Sequence, residues 1–418
     1  MAALSLGRSS DMSYKDGLIS ASRNNIWTAK HIRFFLSTAT FASSNLGTAA
    51  FPFIGRVYIR CTRTITLSFN KTSLASDNMR FDTVAVAFSG MSLFQSAMAH
   101  PGMGKTLDEI RARIDASEAG FDSDELIGDL VTLPDSKLTA VGRSVKNIIT
   151  GNEEPQSKDF YWMGMVPAKS SAQCAADKCC IWQYISNDMR ATFRGAAGRC
   201  NSLARGAVRL GFHDAAGWSK ATAPGGGADG SIILAPDEIA RPENRGLEEI
   251  IAQMKIWQAA YSRYGVSMAD LIQMGATVAT VTCPLGPRVR SFVGRKDSSV
   301  PCPDGLLPPV TGSADFLIQL FANKTIKPHG LTALIGAHTT SQQRFVDPAR
   351  AGDPQDSSPG VWDVLFYKQT ISNAPARVFK FASDIVLAKD PRISQEFNKF
   401  AGPGGQDDWN EVSTELVA

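Results

Sequence analysis

From residue 181 onward the apolar residues recur at helical spacing. In GLEEIIAQMKIWQAAYSRYG (246–265), Leu247, Ile250, Ile251, Met254 and Trp257 fall on one stripe, which predicts an amphipathic helix with a buried face. ADLIQMGATVATV (269–281) is apolar nearly all round and predicts a core helix. Proline and glycine in VPCPDGLLPPVTG (300–312) break the pattern and predict a loop. No run alternates with period two, so the expected fold class is mostly α.

The pattern changes toward the N-terminus. KTLDEIRARIDA (105–116) predicts a helical piece, DSDELIGDL (122–130) is an acidic patch, and GNEEPQSKD (151–159) reads as a polar linker. Residues 100–170 are therefore expected to be an N-terminal extension or pro-segment ahead of a domain at 171–418. Residues 1–78 are rich in Ser, Thr and Arg, hold no Glu and keep neither helical nor strand periodicity. Met79 then opens a basic residue, an apolar stretch and the A-x-A cleavage pattern Ala97-Met98-Ala99, which predicts a signal peptide over 79–99. On that reading residues 1–78 are an over-extended gene model. The rival is an organellar transit peptide, which is also rich in Arg and Ser and poor in acids.

Charge shifts with the same boundary. The whole chain carries +3, but residues 1–99 hold ten of its 43 basic and four of its 40 acidic residues, leaving 33 against 36, a net of −3. Nothing then points to a nucleic-acid partner. The chain has no continuously apolar 18-residue run, so no bilayer span is expected. Of seven cysteines, Cys61 lies in the leader. The remaining six, Cys174, Cys179, Cys180, Cys200, Cys283 and Cys302, suit an oxidising compartment. Six cysteines allow 15 pairings, and CAADKCC has no downstream pair with histidines to make a zinc site.

Two runs carry candidate chemistry. In RLGFHDAAG (209–217), Arg209, Phe212 and His213 share a helix face while Asp214 turns roughly 100° away. Downstream, GGGADGSI (225–232) supplies Asp229, Ser231 and free carbonyls such as that of Gly227, hard oxygen ligands suited to calcium. The second run, ALIGAHTTSQQ (333–343), places Thr339 directly after His338. A little further on, the stretch 356–363 adds Asp356, Ser358, the carbonyl of Val361 and Asp363 as a second oxygen set. A lone helical histidine is more often structural than a ligand. GGGADG fits GxGxxG only by accident, because no apolar strand precedes it. HPGMGKT (100–106) fails as a P-loop because Ala99 stands where glycine is needed.

Taken together, order and spacing resemble the secreted fungal class II haem peroxidases of the plant-type superfamily, over about residues 171–400. The resemblance includes ASDIVLAKDPR (382–392), whose Asp384 matches the family's proximal aspartate, and RPENRG (241–246), whose Asn244 matches its distal asparagine. It implies the plant-type peroxidase fold, with haem b between a distal helix at His213 and a proximal one at His338, and two Ca²⁺ ions. It also implies disulfides Cys200–Cys283 and Cys174–Cys180, and leaves the partner of Cys179 open, with Cys302 one candidate.

The implied reaction begins with heterolysis of hydrogen peroxide. That needs a base to take a proton from one oxygen and return it to the other, here His213 oriented by Asn244, and a donor for the developing negative charge, here Arg209. Phe212 would pack over the porphyrin. His338 would be the axial ligand, with Asp384 accepting its other ring proton. Small phenolic or similar donors would then be oxidised by one-electron steps through a ferryl porphyrin intermediate.

Ligninolytic members carry a surface tryptophan where Ala333 stands. Manganese-oxidising members carry carboxylates where Ser202, Gly206 and Arg344 stand, and many have an aromatic where Gln355 stands. The generic type is therefore expected, as a secreted monomer, with Asn323-Lys-Thr a glycosylation sequon. The alternatives are a secreted haem- and calcium-binding surface protein without turnover, and an intracellular peroxidase of the cytochrome c or ascorbate type.

Overall fold

Residues 126–158, 166–223 and 226–417 are described by a computed structural model; the predicted leader, the signal peptide, Cys61 and the helical piece at 105–116 lie outside them. Among the described residues there are helices and isolated bridges, such as Gln156 with Val289, and no strand. The helices used below are α1 (Ala140–Ile149), α2 (Lys178–Phe193), α3 (Ser202–Ala215), α4 (Glu248–Tyr261) and α5 (Met268–Thr282). They continue with α6 (Ala314–Ala322), α7 (Pro328–Ile335), α8 (Leu365–Ile371), α9 (Ala382–Lys389), α10 (Ser394–Ala401) and α11 (Gly405–Val417).

The predicted stripe is the buried face of α4: Leu247, Ile250, Ile251, Met254 and Trp257 all lie in the core. Burying each such side chain contributes about 1.5–3 kcal/mol. α5 is the central helix, apolar all round because neighbours cover it, and its longest packing is against α3. That approach needs a missing side chain. A Cβ on Gly211 would sit 2.6 Å from Cβ of Ala276, so glycine lets the two backbones close. Asn201 starts α3 by accepting the N–H of Ala204 at 3.1 Å and donates its own amide to the Thr192 carbonyl at 2.7 Å. The Cys200–Cys283 disulfide pins the start of α3 to the end of α5.

A second group, α7 to α11, builds the other side of the core. Trp362 and Trp409 stack at 4.8 Å, Tyr367 meets Trp409 edge-on, and Trp409 Nε1 donates to the Ala333 carbonyl at 2.8 Å. Gly336 ends α7 directly beneath these rings, where an added Cβ would lie 2.5 Å from Trp409 Nε1 and closer still to the Tyr367 hydroxyl. Gly336→Ala is expected to destabilise the fold by about 1–3 kcal/mol through overpacking. Urea unfolding with an unchanged midpoint would contradict this.

The polar linker expected at 151–159 is a packed segment where it is described. Arg290, 3% exposed, pairs with Glu153 at 2.7 Å, donates to the Glu154 carbonyl at 3.1 Å and to the Ser144 hydroxyl at 3.1 Å, while the Ser157 N–H donates to the Arg288 carbonyl at 2.7 Å. A hydrophilic run therefore became structural because one buried guanidinium gathers its acceptors.

Candidate functional site

α3 presents Arg209 and His213 one turn apart on one face, as the spacing predicts. Arg209 is anchored by two carbonyls, donating Nη1 to Arg245 at 2.8 Å and Nη2 to Glu243 at 2.6 Å. Its Nε donates to Nε2 of His213 at 3.2 Å. Nε2 must therefore be the unprotonated nitrogen, and Nδ1–H donates to Oδ1 of Asn244 at 2.8 Å. Asn244 is itself held, since Nδ2 donates to the Glu238 carbonyl at 2.8 Å. Burial first, and the Arg209 charge second, push the His213 pKa down to about 3, against the raising effect of the Asn244 bond. The imidazole is neutral near neutral pH, with a lone pair aimed along the Arg209 face. Phe212 meets the His213 ring edge-on at 6.0 Å and stacks on Phe321 at 6.3 Å.

His338 lies just past α7, on the 3-10 turn Gly336–Thr340. Its Nδ1 faces both oxygens of the buried Asp384, at 3.1 and 3.2 Å, while Nε2 makes no hydrogen bond among the described residues. Burial opposes a charge on this ring, but the Asp384 carboxylate outweighs it and raises the pKa, with Arg209 working in the opposite direction. Arg209 is thus near enough for its charge to act on the His338 ring as well as on His213.

Phe366 and Phe381 meet the His338 ring edge-on at 5.7 and 5.4 Å and fix its plane. The His338 side chain nevertheless keeps 34% of its surface open. An imidazole whose far nitrogen is bound to a carboxylate and whose near nitrogen is open matches the donor chemistry of a haem iron ligand. The residues present fit that group.

The second oxygen set converges. Thr339 Oγ1 donates to Oδ2 of Asp356 at 2.5 Å and lies 3.5 Å from both the Val361 carbonyl and Oδ1 of Asp363. Ser358 Oγ donates to Oδ2 of Asp363 at 2.9 Å. Burial pushes Asp356 up to about 7 and raises Asp363.

In the first set both oxygens of Asp214 accept the Gly230 N–H, at 3.1 and 3.2 Å. Asp229 Oδ1 accepts the Ser231 N–H at 3.0 Å, and the Gly227 carbonyl accepts the Asp229 N–H at 2.8 Å. Burial drives Asp214 up to about 8, with the charges of Asp229 and Glu238 adding to it against the Gly230 bond. Buried carboxylates grouped with backbone carbonyls and hydroxyls are the donor chemistry of a hard divalent ion.

Cys174–Cys180 and Cys200–Cys283 are disulfides. Cys302, one candidate partner for Cys179, is instead a free thiol held against Glu238 and Arg241. Ala333 is not a surface position: it is buried, and α11 covers it through Trp409. Gln355 does not leave the floor beneath His338 without an aromatic, since Phe381 comes from elsewhere in the chain and Gln355 binds the Ser341 hydroxyl. Ser202 and Arg344 are exposed, and Gly206 packs against Ile250. Sequence reading missed Phe366, Phe381, Glu238 and the place of Cys302. Only the apolar run around Phe366 carried any signal.

The family model described as Peroxidase matches residues 185–403, just over half of the chain. The chain is 31% identical over 253 residues to the Peroxidase of Arthromyces ramosus, covering 55% of this chain and 68% of that protein. It is 31% identical over 253 residues to the Peroxidase of Coprinopsis cinerea, covering 55% and 69%. It is also 31% identical over 267 residues to Ligninase LG2 of Phanerodontia chrysosporium, covering 57% and 71%.

Proposed function

The chain belongs to the peroxidase family, among relatives of the fungal peroxidases and ligninases, and from that premise we propose a generic haem peroxidase that oxidises small phenolic donors at the expense of hydrogen peroxide. The observation that carries this reading is a pair of differently prepared imidazoles that both feel the charge of Arg209. One is neutral, tied to an amide and beside an arginine; the other is tied to a carboxylate with Nε2 open. Bound haem b would supply the redox-active iron and take the oxidising equivalents of the peroxide. His338 would hold it from below, and Asp384 would strengthen that ligand by accepting the Nδ1 proton.

The remaining steps belong to the chain. His213 accepts a peroxide proton at Nε2, which requires the peroxide to displace the Arg209 Nε–H that rests there. Asn244 fixes the tautomer by accepting at Oδ1 from Nδ1–H. Arg209, anchored by two backbone carbonyls, offers a fixed positive charge and N–H donors to the oxygen on which negative charge develops. His213 then returns the proton to the departing oxygen, which leaves as water. Phe212, stacked on Phe321, closes the apolar side of that space.

Donor choice follows from what the surface lacks. Ser202, Gly206 and exposed Arg344 offer no carboxylate cage for Mn²⁺ and place a positive charge where a carboxylate would be needed. With Ala333 buried, no tryptophan stands there to relay oxidation from the surface. Steady-state assays of the haem-loaded protein should show turnover with a neutral phenol and none with Mn²⁺ in a chelating buffer. Mn²⁺ turnover would remove the generic assignment, and no consumption of peroxide with either donor would favour a binding protein.

We assign one Ca²⁺ to Asp214, Gly227, Asp229 and Ser231 and a second to Thr339, Asp356, Ser358, Val361 and Asp363, where the ions hold the ends of the segments carrying His213 and His338. Protons compete for these ligands, so calcium affinity should weaken as pH falls through the range of Asp214 at about 8 and Asp356 at about 7. Chelation at pH 7.5 should lower the melting temperature, and added Ca²⁺ should restore it. A melting curve indifferent to chelator and to Ca²⁺ would remove the assignment. The two disulfides support secretion, in line with a signal peptide at 79–99 and a catalytic domain from 171. A sugar found on Asn323 would test the export route.

A further inference from the structure

Cys302 occupies an unusual place among the groups behind His213. Glu238 is 2% exposed, and the same residue meets both of its carboxylate oxygens: Cys302 N–H donates to Oε2 at 3.0 Å and the Cys302 thiol donates to Oε1 at 3.0 Å. Arg241 fastens the other side of Cys302, donating Nη2 to its carbonyl at 2.5 Å and Nη1 to its sulfur at 3.3 Å, while Arg241 Nε pairs with Asp304 at 3.1 Å. Cys302 thus holds two residues of the short segment 236–244, and that segment ends in Asn244. Glu238 gives its backbone carbonyl to Asn244 Nδ2, and Asn244 orients His213. The sulfur also fills the space above Gly217, where an added Cβ would lie 2.9 Å from Cβ of Cys302, just beyond the end of α3.

We propose that Cys302 is a positioning residue for peroxide cleavage, its thiol and amide clamping Glu238 so that the Glu238 carbonyl holds Asn244, and Asn244 holds His213, in register. The proposal rests on the reading of His213 as the proton acceptor. Burial, reinforced by the bond to Glu238 and its charge, pushes the thiol up to about 12, against the lowering effect of Arg241. Since the thiolate is the form that reacts with oxidants, the thiol stays protonated as a donor in a protein that handles peroxide. Removing it leaves Oε1 of a buried carboxylate without its partner, and the segment must shift to satisfy it. A hydroxyl can replace the thiol as donor, whereas a methyl cannot.

The test uses the haem- and calcium-loaded protein and its Cys302→Ala and Cys302→Ser variants, with the peroxide step and the phenol step timed separately by stopped flow. Cys302→Ala should slow the peroxide step by about ten- to hundredfold and leave the phenol step unchanged, and Cys302→Ser should restore the peroxide step. Maleimide labelling of Cys302, read on the digested peptide, should be faster in Glu238→Gln than in the unaltered protein. An alanine variant with the wild-type peroxide rate, loss of both steps alike in both variants, or labelling indifferent to Glu238→Gln would each overturn the proposal. Failure of the unaltered protein to react with peroxide would instead overturn the function proposed above, and the labelling result, which does not depend on turnover, would still decide the Cys302–Glu238 contact.

Discussion

Replacing His213 with alanine should slow the reaction with hydrogen peroxide by about 10²- to 10⁴-fold, the range over which a positioned acid–base group acts. The size follows from two features of the site. The pKa near 3 keeps the ring neutral and ready to accept at neutral pH, and the Asn244 bond leaves Nε2, not Nδ1, as the accepting atom. Haem binding should survive, because His338, Asp384, Phe366 and Phe381 do not touch His213. Stopped-flow rates at pH 7 together with an unchanged resting spectrum would check both halves of the statement. A variant within a few-fold of wild type would remove His213 from the proton path.

The second large effect is expected at Arg209. Arg209→Leu removes the charge that faces the departing oxygen, and loss of one such donor typically costs about 10²- to 10³-fold in rate. The leucine would also leave the Glu243 and Arg245 carbonyls without their partners, so the 243–245 turn should loosen. Arg209→Lys would not be a mild replacement, since one ammonium cannot reach both carbonyls and the His213 ring at once. A measured loss for leucine with full retention for lysine would show that charge alone matters here and that the anchoring is incidental.

The sequence carried those parts of the site whose geometry is local. Arg209, Phe212 and His213 are joined by helix spacing, and Thr339 follows His338 in the chain, so their relative placement could be read from a few residues. Asn244 and Asp384 lie 31 and 46 residues from their histidines, and only family resemblance connected them.

What was not legible depends on tertiary contact alone. Phe381 reaches the His338 ring from just ahead of α9, and Trp409 covers Ala333 from 76 residues away. Cys302 belongs to an even set of cysteines, which favours pairing, and the sequence left its partner open. Its neighbours are a buried carboxylate and a guanidinium, which satisfy a thiol without oxidation. The segment at 153–157 misled in the same way: its polarity suggested solvent, and the partner that buries it, Arg290, lies more than 130 residues on. The helix stripes fared better because burial of one face of α4 and all of α5 is written directly into their periodicity.

The central claim is that one haem lies between His213 and His338 and that peroxide is cleaved on the His213 side. The most direct test is the visible spectrum of the haem- and calcium-loaded protein on adding one equivalent of hydrogen peroxide. The account predicts rapid loss of Soret absorbance, reversed by a phenol but not by Mn²⁺, and absent in His213→Ala. A protein that takes up no haem, or whose haem spectrum peroxide leaves unchanged, would contradict it.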